Sequence, residues 1–256
     1  MPAPINPFKK AMKAGEVQYG CWLALAAHNA TEMMGTAGFD WLVIDNEHAV
    51  NDLKSTRDSL IALESSDSHA AVRVPVGEPW IIKQMLDAGA QTIIVPMVES
   101  AEQARQMVRA VQYPPKGIRG VGYSMTRSSK FGQITDYGHT ADDQICLIVQ
   151  VENRAGLAAL DEILEVDGLD GVFIGPADLG ADLGHMGDLM NPEVVEVILD
   201  SLRKIAASGK APGILTFNDD MIAKAVEAGA QFVAVAADIP LLMASARARA
   251  AQFIKS

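Results

Sequence analysis

The chain has 256 residues, of which 49% are hydrophobic and 21% charged, and its formal net charge is −11. This composition is typical of a globular protein with a sizeable core, and the length suits one large domain or two small ones. The net negative charge repels a phosphate backbone, and no cluster of Lys and Arg interleaved with aromatic residues offsets it. We therefore expect no nucleic-acid partner.

The N-terminal region and the cysteines indicate a cytoplasmic protein without a membrane partner. No apolar stretch follows the N-terminal basic residues, and the densest apolar run nearby, residues 21–27, is far too short to span a bilayer. The only two cysteines, Cys21 and Cys146, lie inside apolar runs. A thiol in that setting usually serves as a small hydrophobic group, so neither a disulfide framework nor a thiolate metal site is indicated.

Short runs rich in Val and Ile recur along the whole chain, and stretches with helical spacing separate them. The pattern predicts repeated βα units. The phrases LDAGAQTIIV, VEAGAQFVAV and GTAGFDWLVI each predict a helix end, a turn and a strand, with Gly89, Gly229 and Gly38 at the left-handed position. The clearest helices cover residues 101–112, 192–208 and 219–227. The eight predicted strands cover residues 17–25, 41–45, 71–74, 92–96, 145–151, 171–175, 213–216 and 232–236.

The strand count favours one of two architectures. Eight parallel strands predict a single α/β domain over residues 1–256, a (β/α)8 TIM barrel with its chemistry at the C-terminal ends of the strands. A doubly wound open sheet has the same periodicity and is the alternative. The apolar C-terminal helix around residues 239–243 is expected to serve oligomerisation. The long irregular stretch 113–144 is expected to be functional or mobile, as loops of that length usually are, and to lie near the entrance of the site.

Polar residues at the predicted strand ends are few, and they follow four strands of the predicted barrel. The second strand runs into the segment 45–48, DNEH, and the third ends around Arg73. The fifth strand runs through Gln150 to Glu152, and the sixth runs into the segment 175–178, GPAD. In a barrel these ends meet around one mouth, which would bring together a histidine, an arginine and separated carboxylates.

Glu152 and Asp178 are the candidate metal ligands. Two carboxylates from neighbouring strand ends suit a hard cation such as Mg²⁺ or Mn²⁺, which prefers oxygen ligands. The alternative is structural: Glu152 pairs with Arg154, and Asp178 caps the helix that follows it. Their joint position at adjacent strand ends favours the metal.

His48 and Arg73 are the candidate catalytic groups. His48 is the only histidine directly past a strand end with acids in the same segment, which fits a general base near neutral pH; a satisfied loop histidine is the alternative. The Arg73 side chain is fixed on a strand and can hold a carboxylate or a developing enolate. A structural ion pair with Asp45 or Glu47 is its other role, and the two roles are compatible.

Several cofactors are not expected. No lysine lies at the C-terminal end of a predicted strand, which argues against a Schiff-base lysine and favours a metal that acts as a Lewis acid. The phrase GIRGVG lies in the long irregular stretch rather than in a strand-to-helix turn, so we expect no nucleotide. No pyridoxal phosphate (PLP) is expected either.

Six successive segments resemble motifs of the HpcH/HpaI aldolase family, in order and over nearly the whole chain. They are AGFDWLVIDNEHAVND, VRVPVG, DAGAQTIIVPMVESAEQA, YPPKGIRGVG, VQVEN and FIGPADLGADLGHMG. The resemblance implies a metal-dependent class II aldolase on a (β/α)8 barrel, similar to 4-hydroxy-2-oxoheptanedioate aldolase. It implies reversible cleavage of 4-hydroxy-2-oxo acids to pyruvate, or a related acid such as hydroxypyruvate, and an aldehyde. It also implies Mg²⁺, Mn²⁺ or Co²⁺ as cofactor and a homo-oligomer, namely a hexamer.

The resemblance also assigns roles to individual residues. Glu152 of VEN and Asp178 of GPAD match the metal ligands. His48 of DNEH matches the catalytic base, Arg73 of VRVP matches the arginine beside the oxo oxygen, and Asp87 of MLDAG matches the aspartate that assists the base. Other matches concern the substrate: Gln150 contacts the oxo acid, and the backbone around Gly175, Pro176 and Ala177 receives its carboxylate. Trp22 and Leu215 line the aldehyde side. Asp45 does not touch the substrate and instead contacts the residues that do.

Two other functions remain open at this point. A lyase relative of the malyl- or citryl-CoA type would need a nucleotide pocket, and none is indicated. A catalytically silent protein that binds small oxo acids would keep Glu152, Asp178 and Arg73 but would not need His48.

Overall fold

Eight parallel strands pair in chain order and close into a barrel through pairing of the first with the last, in a computed structural model that describes residues 1–254. The predicted (β/α)8 barrel is therefore confirmed, and the open sheet is excluded. The predicted strands all form, with ends that differ by at most two residues. They are β1 (Gln18–Leu23), β2 (Trp41–Asp45), β3 (His69–Arg73), β4 (Thr92–Val95), β5 (Cys146–Val151), β6 (Gly171–Ile174), β7 (Ala211–Leu215) and β8 (Phe232–Ala237).

Helices alternate with the strands around the barrel. The three predicted with most clarity form within one residue of their expected ends, and Asn191 caps one of them by accepting the Glu193 amide. The helices are α1 (Pro7–Lys13), α2 (His28–Gly35), α3 (Leu53–Ala62), α4 (Pro79–Asp87), α5 (Ala101–Val111), α6 (Tyr137–Gln144), α7 (Arg154–Ala158), α8 (Leu160–Leu164), α9 (Pro176–Asp182), α10 (Pro192–Ala207), α11 (Asp219–Glu227) and α12 (Asp238–Ala251).

Aromatic side chains fill the inside of the barrel. The rings of Trp41 and Phe232 lie 5.9 Å apart, and Phe8 of α1 closes the N-terminal end by packing against both. Glycine makes room for them, because a Cβ at Gly213 would lie 2.0 Å from the Phe232 ring and one at Gly20 would lie 2.3 Å from Trp41. The interior is thus a packed core rather than a pore, which leaves the rim as the place for chemistry.

The turns from helix to strand lie at the N-terminal face of the barrel. Gly38, Gly89 and Gly229 adopt positive φ values of +92°, +110° and +100°, as predicted for the residue that ends each helix. These junctions are therefore on the face opposite the C-terminal ends of the strands, which serves the stability of the barrel rather than its chemistry.

The long stretch 113–144 does not lie near the entrance, and that prediction is wrong for a single chain. The stretch joins the end of α5 to the start of β5, and helices of this fold run antiparallel to the strands. A connection from a helix to the next strand must therefore cross the N-terminal face. There the stretch forms α6 and packs Tyr113, Ile134 and Tyr137 against Ala3.

The last helix, α12, stands away from the barrel. Asp238 at its first position is buried and accepts the backbone amides of Ala24, Leu25 and Ile239, which ties the loop after β1 to the start of the helix. All residues from 239 to 254 are exposed, including the apolar side chains of Leu241 and Leu242. Across residues 1–254, no helix has both the length and the apolar character needed to cross a membrane.

Candidate active site

Arg73 is held in a fixed position at the ends of β2 and β3. It lies opposite Asp45 in the register of these strands, and its Nε and Nη2 atoms donate to the two Asp45 carboxylate oxygens at 2.8 Å each. Its Nη1 atom lies 2.8 Å from Oε2 of Glu47, and its guanidinium carbon lies 5.0 Å from the centre of the Trp22 ring. Arg73 is buried, so these contacts define one orientation of the planar group.

The ion pairs of Arg73 are compatible with a role in binding substrate. A guanidinium carries five N–H donors, and the contacts with Asp45 and Glu47 use three of them. Two donors remain for another acceptor. Both roles considered for Arg73 from the sequence can therefore be filled at once.

Glu47 is a member of the site to which the sequence analysis gave only an ion-pair role. Burial raises the pKa of its carboxyl group, the charges of Arg73 and His48 oppose this, and those of Asp45 and Asp178 add to it. The signal in the sequence was its place beside His48 in DNEH. His48 itself lies at the rim, with Nε2 3.8 Å from Oε2 of Glu47 and 65% of its side chain exposed.

Glu152 lies just past β5 and is buried. The backbone amide of Met97 donates to its Oε1 atom at 2.7 Å, and Nε2 of Gln150 donates to Oε2 at 3.0 Å. Burial raises the pKa of Glu152 to about 7; Glu47 and Asp178 act in the same direction, while the Met97 amide and Arg73 oppose it. The expected alternative partner, Arg154, instead contacts Asp182.

Asp178 lies in the first turn of α9, with its side chain exposed beside the other acids. Its charge acts on the pKa of both Glu152 and Glu47, which places the three carboxylates in one electrostatic cluster. The capping alternative does not hold, because the N-cap of α9 is Gly175 and no side chain caps this helix. A Cβ at Gly175 would lie 2.2 Å from Oε2 of Glu152, so only glycine leaves room for that carboxylate.

The donor set fits a hard divalent cation. Glu152 is buried and Glu47 is partly buried, and Arg73 is a cation that contacts the cluster of these two acids and Asp178. Next to Glu152, the buried Oε1 atom of Gln150 has no hydrogen-bond partner. No group of three or more His, Cys, Asp or Glu side chains within residues 1–254 is already arranged as a metal site. Glu152 and Asp178 would therefore bind a metal together with water or substrate oxygens.

The residues expected to touch substrate lie at the same end of the barrel. Trp22 and Phe173 pack with their ring centres 5.5 Å apart inside the barrel, and Leu215, at the end of β7, packs against the same cluster. Gln150 is buried at the end of β5, and Gly175, Pro176 and Ala177 form the start of α9.

Asp87 is the one predicted site residue that a single chain does not bring to the mouth. It ends α4, which places it at the N-terminal face, away from His48. Its Oδ1 atom accepts from Nη2 of Arg119 at 3.0 Å, and the buried Arg119 stacks on Tyr113, 4.4 Å from the ring centre. Asp87 of one chain therefore does not contact His48 of the same chain.

Comparisons with known proteins agree with this architecture. The family model described as HpcH/HpaI aldolase/citrate lyase matches residues 18–245. The hydroxypyruvate/pyruvate aldolase of Roseobacter denitrificans is 59% identical over 253 residues, which cover 99% of both chains. The 4-hydroxy-2-oxo-heptane-1,7-dioate aldolase of Klebsiella pneumoniae subsp. pneumoniae is 50% identical and covers 97% of this chain and 94% of its own.

A solved structure shows the same fold over the whole length. The crystal structure of an HpcH/HpaI aldolase/citrate lyase family protein from Burkholderia cenocepacia has a TM-score of 0.92 and 38% sequence identity, and the match covers 98% of this chain and 100% of that one. The family model, the relatives and this structure all match along nearly the full chain. The protein described above therefore belongs to the HpcH/HpaI aldolase/citrate lyase family.

Proposed function

We propose that the protein is a metal-dependent aldolase that reversibly cleaves 4-hydroxy-2-oxo acids to pyruvate, or hydroxypyruvate, and an aldehyde. The observation that carries the proposal is the cluster of desolvated acids, Glu152 and Glu47, beside the fixed guanidinium of Arg73 and the exposed His48. The names of relatives support this reaction, since two are a hydroxypyruvate/pyruvate aldolase and a 4-hydroxy-2-oxo-heptane-1,7-dioate aldolase.

Glu152 and Asp178 would hold the divalent cation, which we propose to be Mg²⁺, Mn²⁺ or Co²⁺. A cation bound there acts as a Lewis acid and stabilises negative charge on the 2-oxo oxygen. Its charge would also favour the ionised form of Glu152, whose pKa is raised by burial first and further by the charges of Glu47 and Asp178.

The chain's own groups orient the oxo acid. Arg73 directs its two remaining donors at the 2-oxo oxygen, where charge develops as the carbon–carbon bond breaks. The Gln150 side chain contacts the oxo acid, and the backbone amides at the start of α9, around Gly175 and Ala177, receive its carboxylate. Because these groups lie on strand ends and a helix start, they are positioned before substrate arrives.

His48 moves the proton. In the cleavage direction His48 takes the proton from the 4-hydroxyl group, and the bond between carbons 3 and 4 breaks. The electron pair of that bond stays with the 2-oxo acid, which becomes an enolate. Carbon 4 becomes the aldehyde, beside Trp22 and Leu215, and the enolate takes a proton at carbon 3, from the protonated His48 or from solvent, to complete the 2-oxo acid. The exposed position of His48 lets it exchange its proton with solvent between turnovers.

Asp87 can assist His48 only from another copy of the chain, because its own His48 lies at the opposite face. We propose a homo-oligomer, a hexamer as the family resemblance implies, in which the N-terminal face of one copy meets the mouth of another. The exposed apolar side chains of α12 supply surface for such an assembly.

In solution we expect the mass of several chains, and we expect Leu242→Glu to lower it, because a charge on the exposed face of α12 opposes apolar contact. Light scattering coupled to gel filtration measures the mass. Met186→Glu, at an exposed residue outside α12, is the matched control and should leave the mass unchanged. A wild-type mass equal to that of one chain would contradict the oligomer.

The proposed reaction is tested by pyruvate release from 4-hydroxy-2-oxo acids, followed through coupling to lactate dehydrogenase. We expect EDTA to abolish release and Mn²⁺ or Mg²⁺ to restore it, because the acids of the site are proposed to hold a metal. Cleavage that EDTA leaves unchanged would remove Glu152 and Asp178 from the mechanism. Binding of oxo acids without any cleavage would favour a catalytically silent binding protein.

Arg73→Lys should lower kcat by about 100-fold or more, because the three contacts that Arg73 makes with Asp45 and Glu47 would use all three donors of an ammonium and leave none for the oxo oxygen. The dissociation constant for Mn²⁺ should change little, since Arg73 is not a ligand. Steady-state kinetics and calorimetry measure the two quantities, with Arg105→Lys in the exposed pair with Glu102 as control. Equal losses in turnover and in metal affinity argue against this role.

The raised pKa of Glu152 predicts a pH-dependent stability of the metal-free protein. Between the ordinary pKa of 4.5 and about 7, the folded protein keeps a proton that the unfolded chain releases, so stability falls as the pH rises through this window. In EDTA, Glu152→Gln should therefore gain in Tm over wild type between about pH 5 and about pH 8. Glu102→Gln, at an exposed position, should show no such gain, and a pH-independent difference for Glu152→Gln would count against the shift.

A further inference from the structure

Met97 has an unusual backbone conformation in the loop between β4 and α5. Its φ angle is +55°, in the left-handed region that residues other than glycine adopt at a steric cost. Its neighbours Pro96 and Val98 are buried, but 45% of Met97 itself is exposed. Burial of the methionine side chain therefore does not explain why this conformation is kept.

The amide of Met97 does explain it. The left-handed turn directs the side chain outward and the N–H group inward, where it donates to Oε1 of Glu152 at 2.7 Å. The next amide, that of Val98, donates to the carbonyl of Gln150 at 2.9 Å. The side chain of Glu99 then accepts from Nδ2 of Asn153 at 2.6 Å. Three successive residues of this loop thus tie it to the end of β5.

The loop binds only one oxygen of the Glu152 carboxylate, Oε1. The other oxygen, Oε2, accepts from Gln150 and lies against the α-carbon of Gly175. A carboxylate has about four lone-pair positions, and these two hydrogen bonds use two of them. The rest remain for a cation, and the carboxylate cannot rotate without breaking one of the two bonds.

We propose that Met97 is a positioning residue for metal binding: its left-handed backbone aims the amide at Oε1 of Glu152 and fixes the orientation in which this carboxylate holds the cation. The inference rests on the proposed function, because it needs Glu152 as a metal ligand. It assigns the role to the backbone of residue 97 and none to the methionine side chain.

Substitutions that differ in their backbone preference separate the contribution of the Met97 backbone from that of its side chain. Glycine and asparagine adopt the left-handed region readily, so Met97→Gly and Met97→Asn keep the amide in place while they remove the side chain. A β-branched residue is a genuine outlier there, so Met97→Val turns the peptide away from Glu152. Met186→Gly and Met186→Val are matched controls at an exposed methionine outside the positive-φ region.

Calorimetric titration of the metal-free protein with Mn²⁺ tests the proposal without any measurement of turnover. We expect Met97→Val to bind Mn²⁺ about tenfold more weakly than wild type, and Met97→Gly and Met97→Asn to stay within about twofold. Neither Met186 variant should change the affinity. Wild-type affinity in Met97→Val, or an equal loss in Met97→Gly, would overturn the proposal.

Two further measurements keep the outcome clear. If Met97→Val fails to fold in thermal unfolding, the glycine and asparagine variants still decide, because a tenfold loss in either one overturns the backbone role. Glu152→Gln separates this inference from the proposed function. If Glu152→Gln binds Mn²⁺ as wild type does, the proposed metal site is wrong and the inference fails with it. If Glu152→Gln loses Mn²⁺ affinity while Met97→Val keeps the wild-type affinity, the inference alone is overturned.

Discussion

The site depends on one buried cation, the guanidinium of Arg73, which is surrounded by more negative charge than it can neutralise. It binds Asp45 through two hydrogen bonds and Glu47 through a third contact, and Glu152 and Asp178 interact with the same cluster. Removing a carboxylate from water is unfavourable unless a positive partner is close. Burial raises the pKa of both Glu152 and Glu47, the neighbouring acids raise it further, and Arg73 offsets only part of this effect. The same deficit makes this end of the barrel suited to a divalent cation.

The closed barrel places this cluster and restricts what else can reach it. Parallel strands end at one face, so residues far apart in the chain, such as Asp45 and Glu152, meet at the mouth, while Phe232 and Trp41 fill the space below. The helices run back to the opposite face and carry Asp87 with them. Any contribution of that face to the mouth must therefore come from another copy of the chain, which connects the proposed mechanism to the proposed oligomer.

Backbone groups, as well as the side chain of Gln150, hold the Glu152 carboxylate in place. Glu152 accepts from the amide of Met97 and lies against Gly175, where a side chain would displace it. These contacts require a left-handed backbone at Met97 and a glycine, which has no capping side chain, at the start of α9. Local departures from favourable geometry of this kind persist where surrounding structure enforces them, and they are common at functional sites.

The sequence by itself determined the eight βα units, because strand and helix periods and the glycines that end helices, such as Gly89 and Gly229, are local properties of the chain; the pairing of β1 with β8, which closes the barrel, was decided by the tertiary structure. It also determined which residues stand at strand ends, so the order of residues was enough to predict that Glu152 and Arg73 lie at the same end of the barrel. Only the tertiary structure decided the pairing of Arg73 with both Asp45 and Glu47, since the spacing of residues does not give the direction of a side chain. It alone decided the role of the Met97 amide, because every residue except proline carries the same N–H group and no letter of the sequence marks the one that binds Glu152.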